Sequence, residues 1–330
     1  MTRCWRISPP WPKGCRTLEF EHVPVLLTKV VECMDLKADA LIVDGTLGLG
    51  GYSEAFLKRS SRWRVVGIDR DEQARDIACR RLAPFGERFL ALDGDFRNMK
   101  ELCVSAGICT VDCVVLDLGV SNMQLADGRR GFSFREDGPL DMRMDPAAGT
   151  LSAAEFVNGI SREALAEIFR KYGEERFAWS IAGEIVKERL KRPITTTAGL
   201  VEVIRRGIPA PVMRKMNGHP ARKVFQALRI AVNDELGALE QGLNEAFSLL
   251  AQGGRLLVVT YHSLEDRIVK RRFKEWSEER KGVPEPRKGQ VPDDEEIERN
   301  PKSRSARLRG FFKKDMPNKA EGRIGPWRKV

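Results

Sequence analysis

Residues 41 to 51 restrict this chain more than any other stretch. The run Leu41-Ile42-Val43-Asp44 is short, apolar and closed by an acid, and glycines follow at 45, 48, 50 and 51. A helical pattern begins near Ser53. Such a run reads as a buried strand. The glycines read as a tight turn whose backbone takes positive φ and approaches a ligand closely. A strand, a glycine turn and a helix start, in that order, predict a nucleoside-containing ligand on the turn.

The surrounding chain repeats the unit. Arg64-Val65-Val66-Gly67-Ile68-Asp69 is a second apolar run ended by an acid, and a helix pattern follows over Glu72–Leu82. A short strand is expected at Arg88–Leu92 and a fourth at Val111–Asp117. Strands alternating with helices predict an α/β fold, a Rossmann-like doubly wound parallel sheet with helices on both faces. After Gln124 the rhythm breaks. Residues 127–146 form an aperiodic loop rich in Gly, Asp, Arg and Met, and only helical patterns follow to about Ile208, with starts at Ser161 and at Thr196 or Thr197. Val224, Phe225, Leu228, Val232, Leu236, Leu239, Leu243, Phe247 and Leu250 then predict one long amphipathic helix, stopped at Gly253-Gly254. A fifth strand, Arg255–Thr260, runs into Tyr261-His262-Ser263. A basic helix over Asp266–Trp276, a mobile charged loop over Ser277–Ser303 and an edge strand over Ala306–Phe312 complete the chain. The expected organisation is a disordered extension at 1–20, an α/β domain from 21–126 and 218–330, and an all-helical insertion at 127–217.

With 57 Lys and Arg against 47 Asp and Glu, the formal net charge is +10, which favours a polyanionic partner such as nucleic acid. None of the 7 cysteines forms a C-x-x-C pair, and the 3 histidines (His22, His219, His262) are far apart in sequence. These read as reduced thiols of a cytoplasmic protein with no disulfide framework and no metal site. No apolar run reaches membrane-spanning length, so no membrane partner is expected.

Glycine turns of this kind hold dinucleotides or S-adenosylmethionine (SAM). The spacing here lacks the third glycine of G-x-G-x-x-G. Asp44 stands directly before the first glycine; a carboxylate there repels a pyrophosphate and suits the cationic amino-acid end of SAM. Asp69, closing the second strand, is placed for ribose hydroxyls. Asp117 closes the fourth strand at the expected topological switch point, where doubly wound sheets bind ligands, though a strand-end Asp also commonly caps a turn. Arginines and phenylalanines interleave over Gly131–Asp145, a pattern that could hold phosphates and stack bases. A nicotinamide dehydrogenase is the first rival, but no Lys-Tyr or His pair offers the proton donor it needs.

Several stretches together resemble the bacterial 16S ribosomal RNA cytosine-N4 methyltransferase (RsmH, or MraW) family. They are His22–Leu27, Asp44–Gly51, Ile68–Asp71, Leu116–Val120, Arg130–Asp145, Tyr172–Ala178, His219–Asn233 and His262–Lys270. The resemblance implies a class I SAM-dependent methyltransferase whose helical insertion recognises substrate. It implies methyl transfer to a cytosine N4 of 16S ribosomal RNA near the P site, within the small subunit, and leaves a homodimer open. Carried over by position, Gly50, Gly51 and Tyr52 would contact SAM at the turn, Asp69 its ribose and Phe96 its adenine, with Asp117 and Gln124 completing the pocket. Two departures stand out: Tyr52 replaces a frequent histidine, and Ser121-Asn122-Met123-Gln124 lacks the usual proline. Methylating a delocalised amine needs an acceptor for its proton. Asp117 is the first candidate, and Ser121 or Asn122 the second. His219, Arg222, His262 and Lys270 are candidate substrate contacts, with Arg271, Arg272 and Lys274 extending the last; the plainer reading of that run is a solvated helix face. An RNA-binding assembly factor with a vestigial SAM pocket is a further rival, disfavoured by the retention of Asp44, Asp69 and Asp117. A methyltransferase for DNA or another RNA is the third. The DNA enzymes usually carry Ser-Pro-Pro-Tyr after the fourth strand, which this chain lacks.

Overall fold

A computed structural model describes residues 24–146 and 149–314. The expected N-terminal extension and His22 lie outside the described residues. The chain opens with α1 (Leu27–Met34), β1 (Leu41–Asp44), α2 (Gly51–Arg59), β2 (Arg64–Asp69), α3 (Glu72–Leu82), β3 (Phe89–Asp93), α4 (Met99–Ser105), β4 (Val111–Asp117) and α5 (Asn122–Ala126). The helical segment holds α6 (Ala153–Gly159), α7 (Arg162–Gly173), α8 (Ala178–Arg189), α9 (Thr197–Arg206), α10 (Ala210–Met213) and α11 (Arg222–Asn233). The α/β pattern resumes with α12 (Glu235–Leu249), β5 (Leu250–Thr260), α13 (Ser263–Glu278), β6 (Gly282–Pro284), α14 (Asp294–Arg299) and β7 (Arg307–Lys313).

Seven strands form one sheet in the order β3-β2-β1-β4-β5-β7-β6. β1 to β5 are parallel, and β7 runs antiparallel to both neighbours. This is the doubly wound class I methyltransferase arrangement. The strand order reverses between β1 and β4, so Asp44 and Asp117 end adjacent strands at the switch point. One apolar layer packs α1 and α2 against the sheet, and another packs α12 and α13 on the opposite face. A third cluster, from Phe132 to Val232, is the core of the helical unit. The expected boundary at 217/218 falls before α11, whose Val224, Phe225, Leu228 and Val232 pack into that helical core.

Four sequence expectations need correction. The long helix is two, α11 and α12, broken at Asp234, which adopts φ 48°. Asp tolerates this left-handed conformation better than most residues, and the preceding Asn233 turns its amide into the 128–146 loop. Gly253-Gly254 does not end a helix: both glycines lie inside β5, where the pairing with β4 skips from Leu250 to Arg255, a bulge that glycine permits. Residues 277–303 are not a structureless loop, because β6 and α14 form within them. Finally, β7 is not the edge strand; β6 lies outside it.

Candidate active site

The first glycine turn is laid between three strands. The Gly45 N–H donates to the Val115 carbonyl and the Leu47 N–H to the Ile68 carbonyl, each at 2.9 Å. Asp117 N–H donates to Thr46 Oγ1 at 2.6 Å, tying the end of β4 to the same turn. Gly50 has φ 76° and precedes α2, a conformation that would strain any residue with a Cβ. The position of such a Cβ is 3.0 Å from Leu82, so Gly50 faces α3 rather than the cavity. Gly48, Leu49, Gly51 and Tyr52 line the cavity in its place. The turn therefore uses Gly50 for shape and its neighbours for contact.

The cavity beyond the turn has a volume of about 790 Å³ and is shared by the switch point, the start of α13 and the turn before β7. Asp69, Phe96, Asp117, Ser121, Gln124, Arg222 and His262 all line it, so most of the expected site residues do meet in space. Asp69 accepts from Gly48 N–H at 2.7 Å through one oxygen and from Asp71 N–H at 2.9 Å through the other. Phe96 is seated by Gly242, where a side chain would collide with its ring. Tyr52 is buried, and its hydroxyl donates to the Val25 carbonyl, so it fastens the segment before α1 to the site. The missing proline leaves no ill-defined loop. Ser121 Oγ accepts from Gln124 N–H at 3.1 Å while Gln124 Oε1 accepts from Ser121 N–H at 3.0 Å, a reciprocal capping box that starts α5. Gln124 Nε2 then donates to Asp71 at 3.0 Å. The Asn122 side chain lies outside the described residues.

Asp44 is fully buried. It is not among the residues lining the cavity. One of its oxygens accepts from Ser53 Oγ at 2.7 Å, and the other has no hydrogen-bond partner. Burial pushes its carboxyl up to about 6, against the pull of Ser53. Burial likewise pushes Asp117 up to about 7, opposed by the hydrogen bond from Tyr261, and raises Asp69. None of these three carboxylates has an ion-pair partner among the described residues. Such a set is incomplete without positive charge. SAM carries a sulfonium and an ammonium against one carboxylate, so the residues present fit it: the raised Asp69 and Asp117 carboxyls, which line the cavity, are what its charge would relieve.

Tyr261 is the residue that sequence reasoning missed. Its hydroxyl donates to Asp117 Oδ1 at 2.7 Å from the end of β5. Its place at the carboxyl end of a central strand was the available signal. His262 caps α13: its Nδ1 accepts from Glu265 N–H at 3.4 Å, and Glu265 accepts in return from the Tyr261 and His262 amides. His262 Nε2 lies 3.2 Å from Glu265 Oε1, but the alignment is not that of a hydrogen bond, and Nε2 is buried without a partner. With Nδ1 accepting, the neutral ring carries its proton on Nε2. Glu235, His262 and Glu265 bring potential metal-ligand atoms within 4.8 Å of one another. However, Arg229 donates to both oxygens of Glu235 at 2.8 and 2.9 Å, so a dication would first have to displace a guanidinium.

Other candidates lie elsewhere. Lys270 and His219 are not among the cavity-lining residues. His219 stacks on Phe134 with ring centroids 4.5 Å apart, and Phe132 and Phe134 pack into the helical core. These phenylalanines are committed to packing, and the expectation that they stack bases is not met.

A family model described as the MraW methylase family matches residues 19–314. The chain belongs to the MraW methylase family. It is 49% identical to the ribosomal RNA small subunit methyltransferase H of Carboxydothermus hydrogenoformans, over 90% of this chain and 99% of that protein. It is 45% identical to the protein of that name from Symbiobacterium thermophilum, over 90% of this chain and 98% of that one. The Mycolicibacterium smegmatis protein of the same name is 46% identical, over 88% of this chain and 84% of its own length. Within this MraW methylase, Asp69, Asp117, the glycine turn and the Ser121 and Gln124 of the capping box line one cavity.

Proposed function

We propose that this MraW methylase transfers the methyl group of SAM to the N4 amine of a cytosine in 16S ribosomal RNA, near the P site of the small subunit. Its relatives' names support an enzyme acting on small-subunit ribosomal RNA, and the switch-point cavity with its uncompensated carboxylates supports SAM. The observation that carries the amine chemistry is Asp117. It ends β4 in the cavity, holds a hydrogen bond from Tyr261, and titrates at about 7, close to the pH at which a general base works best.

SAM, when bound, would supply an electrophilic methyl carbon, whose bond to sulfur breaks as the N–C bond forms, with sulfur keeping the electron pair. The protein's own groups do the rest. Asp69 would receive ribose hydroxyls, Phe96 would pack beside the adenine, and the backbone at Gly48, Leu49 and Gly51 would hold the amino-acid end. The amine of cytosine is a poor nucleophile because its lone pair is delocalised into the ring. Ionised Asp117 accepts one N4 proton as the new N–C bond forms, and Tyr261 holds the accepting carboxylate in place. The Ser121 hydroxyl oxygen is occupied as the α5 cap, which leaves Asp117 as the better acceptor. His262 lines the cavity but its Nε2 is buried against Glu265, so its role is to start α13 at the edge of the site. A cytosine must leave any stack to reach this depth, so the substrate is single-stranded or flipped.

Asp117→Ala and Asp117→Asn test the assignment, with SAM affinity and methyl transfer measured separately. The expected result is loss of transfer by at least about 100-fold in both variants. Unchanged transfer would overturn the role of Asp117.

A further inference from the structure

The cavity changes sign from floor to mouth. Its acids (Asp69, Asp95, Asp117, Glu235, Glu265) are buried or half-buried, with Asp95 paired to Arg70 and Glu235 to Arg229, whereas Arg135, Arg222 and Arg304, which line the same cavity, are exposed. These three arginines come from remote parts of the chain: the 128–146 loop, the first turn of α11 and the turn before β7. The side chains of none of the three make an ion pair or hydrogen bond among the described residues. Lys302 stands at the same mouth, and burial together with the Arg135 guanidinium holds its ammonium below the ordinary lysine range. Like charges are thus crowded at the mouth.

Apart from exposed Lys270, the basic run on α13 is different. Arg267 meets Glu174 at 3.4 Å, Arg271 meets Glu240 at 2.5 Å, Arg272 meets Glu275 at 3.1 Å and Lys274 meets Glu278 at 3.5 Å. Charges already paired offer little net field to a polyanion.

We propose that Arg135, Arg222 and Arg304 form a three-point phosphate clamp for single-stranded RNA at the mouth of the methylation cavity. The acidic floor repels phosphodiesters and the basic mouth holds them. A nucleotide is thereby sorted, with its base pointing inward to Asp117 and its backbone kept outside. The clamp rests on the RNA reading above and adds which groups grip the backbone.

The test is binding of a fluorescein-labelled single-stranded RNA spanning the target cytosine, followed by anisotropy from 50 to 200 mM KCl, on the full-length protein. Each phosphate neutralised on a single strand contributes about 0.7 to the slope of log K against log salt. Replacing all three arginines by alanine should lower the slope by about 2, so the wild type loses about 20-fold more affinity than the variant across that range. The triple Arg→Lys variant keeps the charges and should keep the slope. Replacing Arg271, Arg272 and Lys274 by alanine should leave it unchanged. Thermal unfolding of each variant shows whether it is folded, and the lysine variant keeps the proposal testable if the alanine one is not. An unchanged slope in the alanine variant, a lysine variant with a lowered slope, or an equal drop from the α13 variant overturns the clamp. Wild-type protein that methylates RNA despite such a result leaves the functional reading standing. Wild-type protein that neither binds nor methylates RNA overturns both.

Discussion

Replacing Tyr261 by phenylalanine removes a single hydroxyl and leaves the ring in place. That hydroxyl donates to Asp117 Oδ1 at 2.7 Å, and burial holds its own ionisation well above the ordinary tyrosine range, so it remains a donor throughout the working pH. Hydrogen bonds to charged groups contribute about 1.5–3 kcal/mol, which corresponds to about 1–2 pKa units on the accepting carboxylate. Asp117 begins at about 7, with burial raising it and Tyr261 lowering it. Without Tyr261 it should therefore titrate at about 8–9. At pH 7.5 the ionised fraction falls from about three-quarters to between a quarter and a thirtieth, so methyl transfer should drop by about 3- to 25-fold. The assay is single-turnover methyl transfer from labelled SAM across pH 6 to 10. The wild-type rate should rise through about pH 7, and the Tyr261→Phe rate should rise one to two units later and recover by about pH 10. An unchanged midpoint would refute the coupling. A uniform loss at every pH would show that Tyr261 positions the substrate rather than Asp117.

Three further outcomes follow from the site. SAM affinity should fall as pH drops from 8 to 6, by up to about 20-fold, because Asp44 at about 6 and Asp117 at about 7 both gain protons that oppose a cation; calorimetry at several pH values measures it. The stability sign is opposite. The folded state keeps those protons at a pH where the unfolded chain has lost them, so these two groups make the ligand-free protein more stable near pH 5 than at pH 8. Gly50→Ala forces a Cβ into φ 76° and against Leu82, which should cost about 1–2 kcal/mol and lower the unfolding midpoint by about 1–3 °C in a thermal scan. Asn233→Ala strips partners from the Met144 amide and the Met142 carbonyl, each bonded at 2.8 Å, and should destabilise the fold by about 2–4 kcal/mol in denaturant titration.

Much of the α/β fold was legible because its signals are local. β1, β2, α3 and β4 begin and end at the residues the apolar runs and strand-end acids marked. Thr196 and Ser161 also cap their helices as expected from hydroxyl residues at those positions. What the pattern could not show depended on contacts distant in sequence. The break at Asp234 preserves apolar spacing on both sides, and only the hydrogen bonds of Asn233 to the 128–146 loop reveal why the chain turns there. Phe132 and Phe134 looked available to stack bases until the helical core claimed them. At the site, the acids were legible from their places at strand ends. Tyr261 shared that strand-end signal, but its partnership with Asp117 was not legible, since the two lie 144 positions apart. Of the three mouth arginines, Arg222 and the loop holding Arg135 were marked as candidate phosphate or substrate contacts, whereas Arg304 was hidden, and that all three lack an ion pair is a property of the fold that leaves no trace in composition.

The most direct test of the central claim is nucleoside mapping after reaction in vitro. Small-subunit RNA and assembled small subunits from cells lacking the gene are incubated with the purified protein and SAM, and methylated positions are read by mass spectrometry. The account predicts N4-methylcytidine at one P-site cytosine, absent with Asp117→Ala. Methylation at carbon or at another base, or none in either substrate, would contradict it.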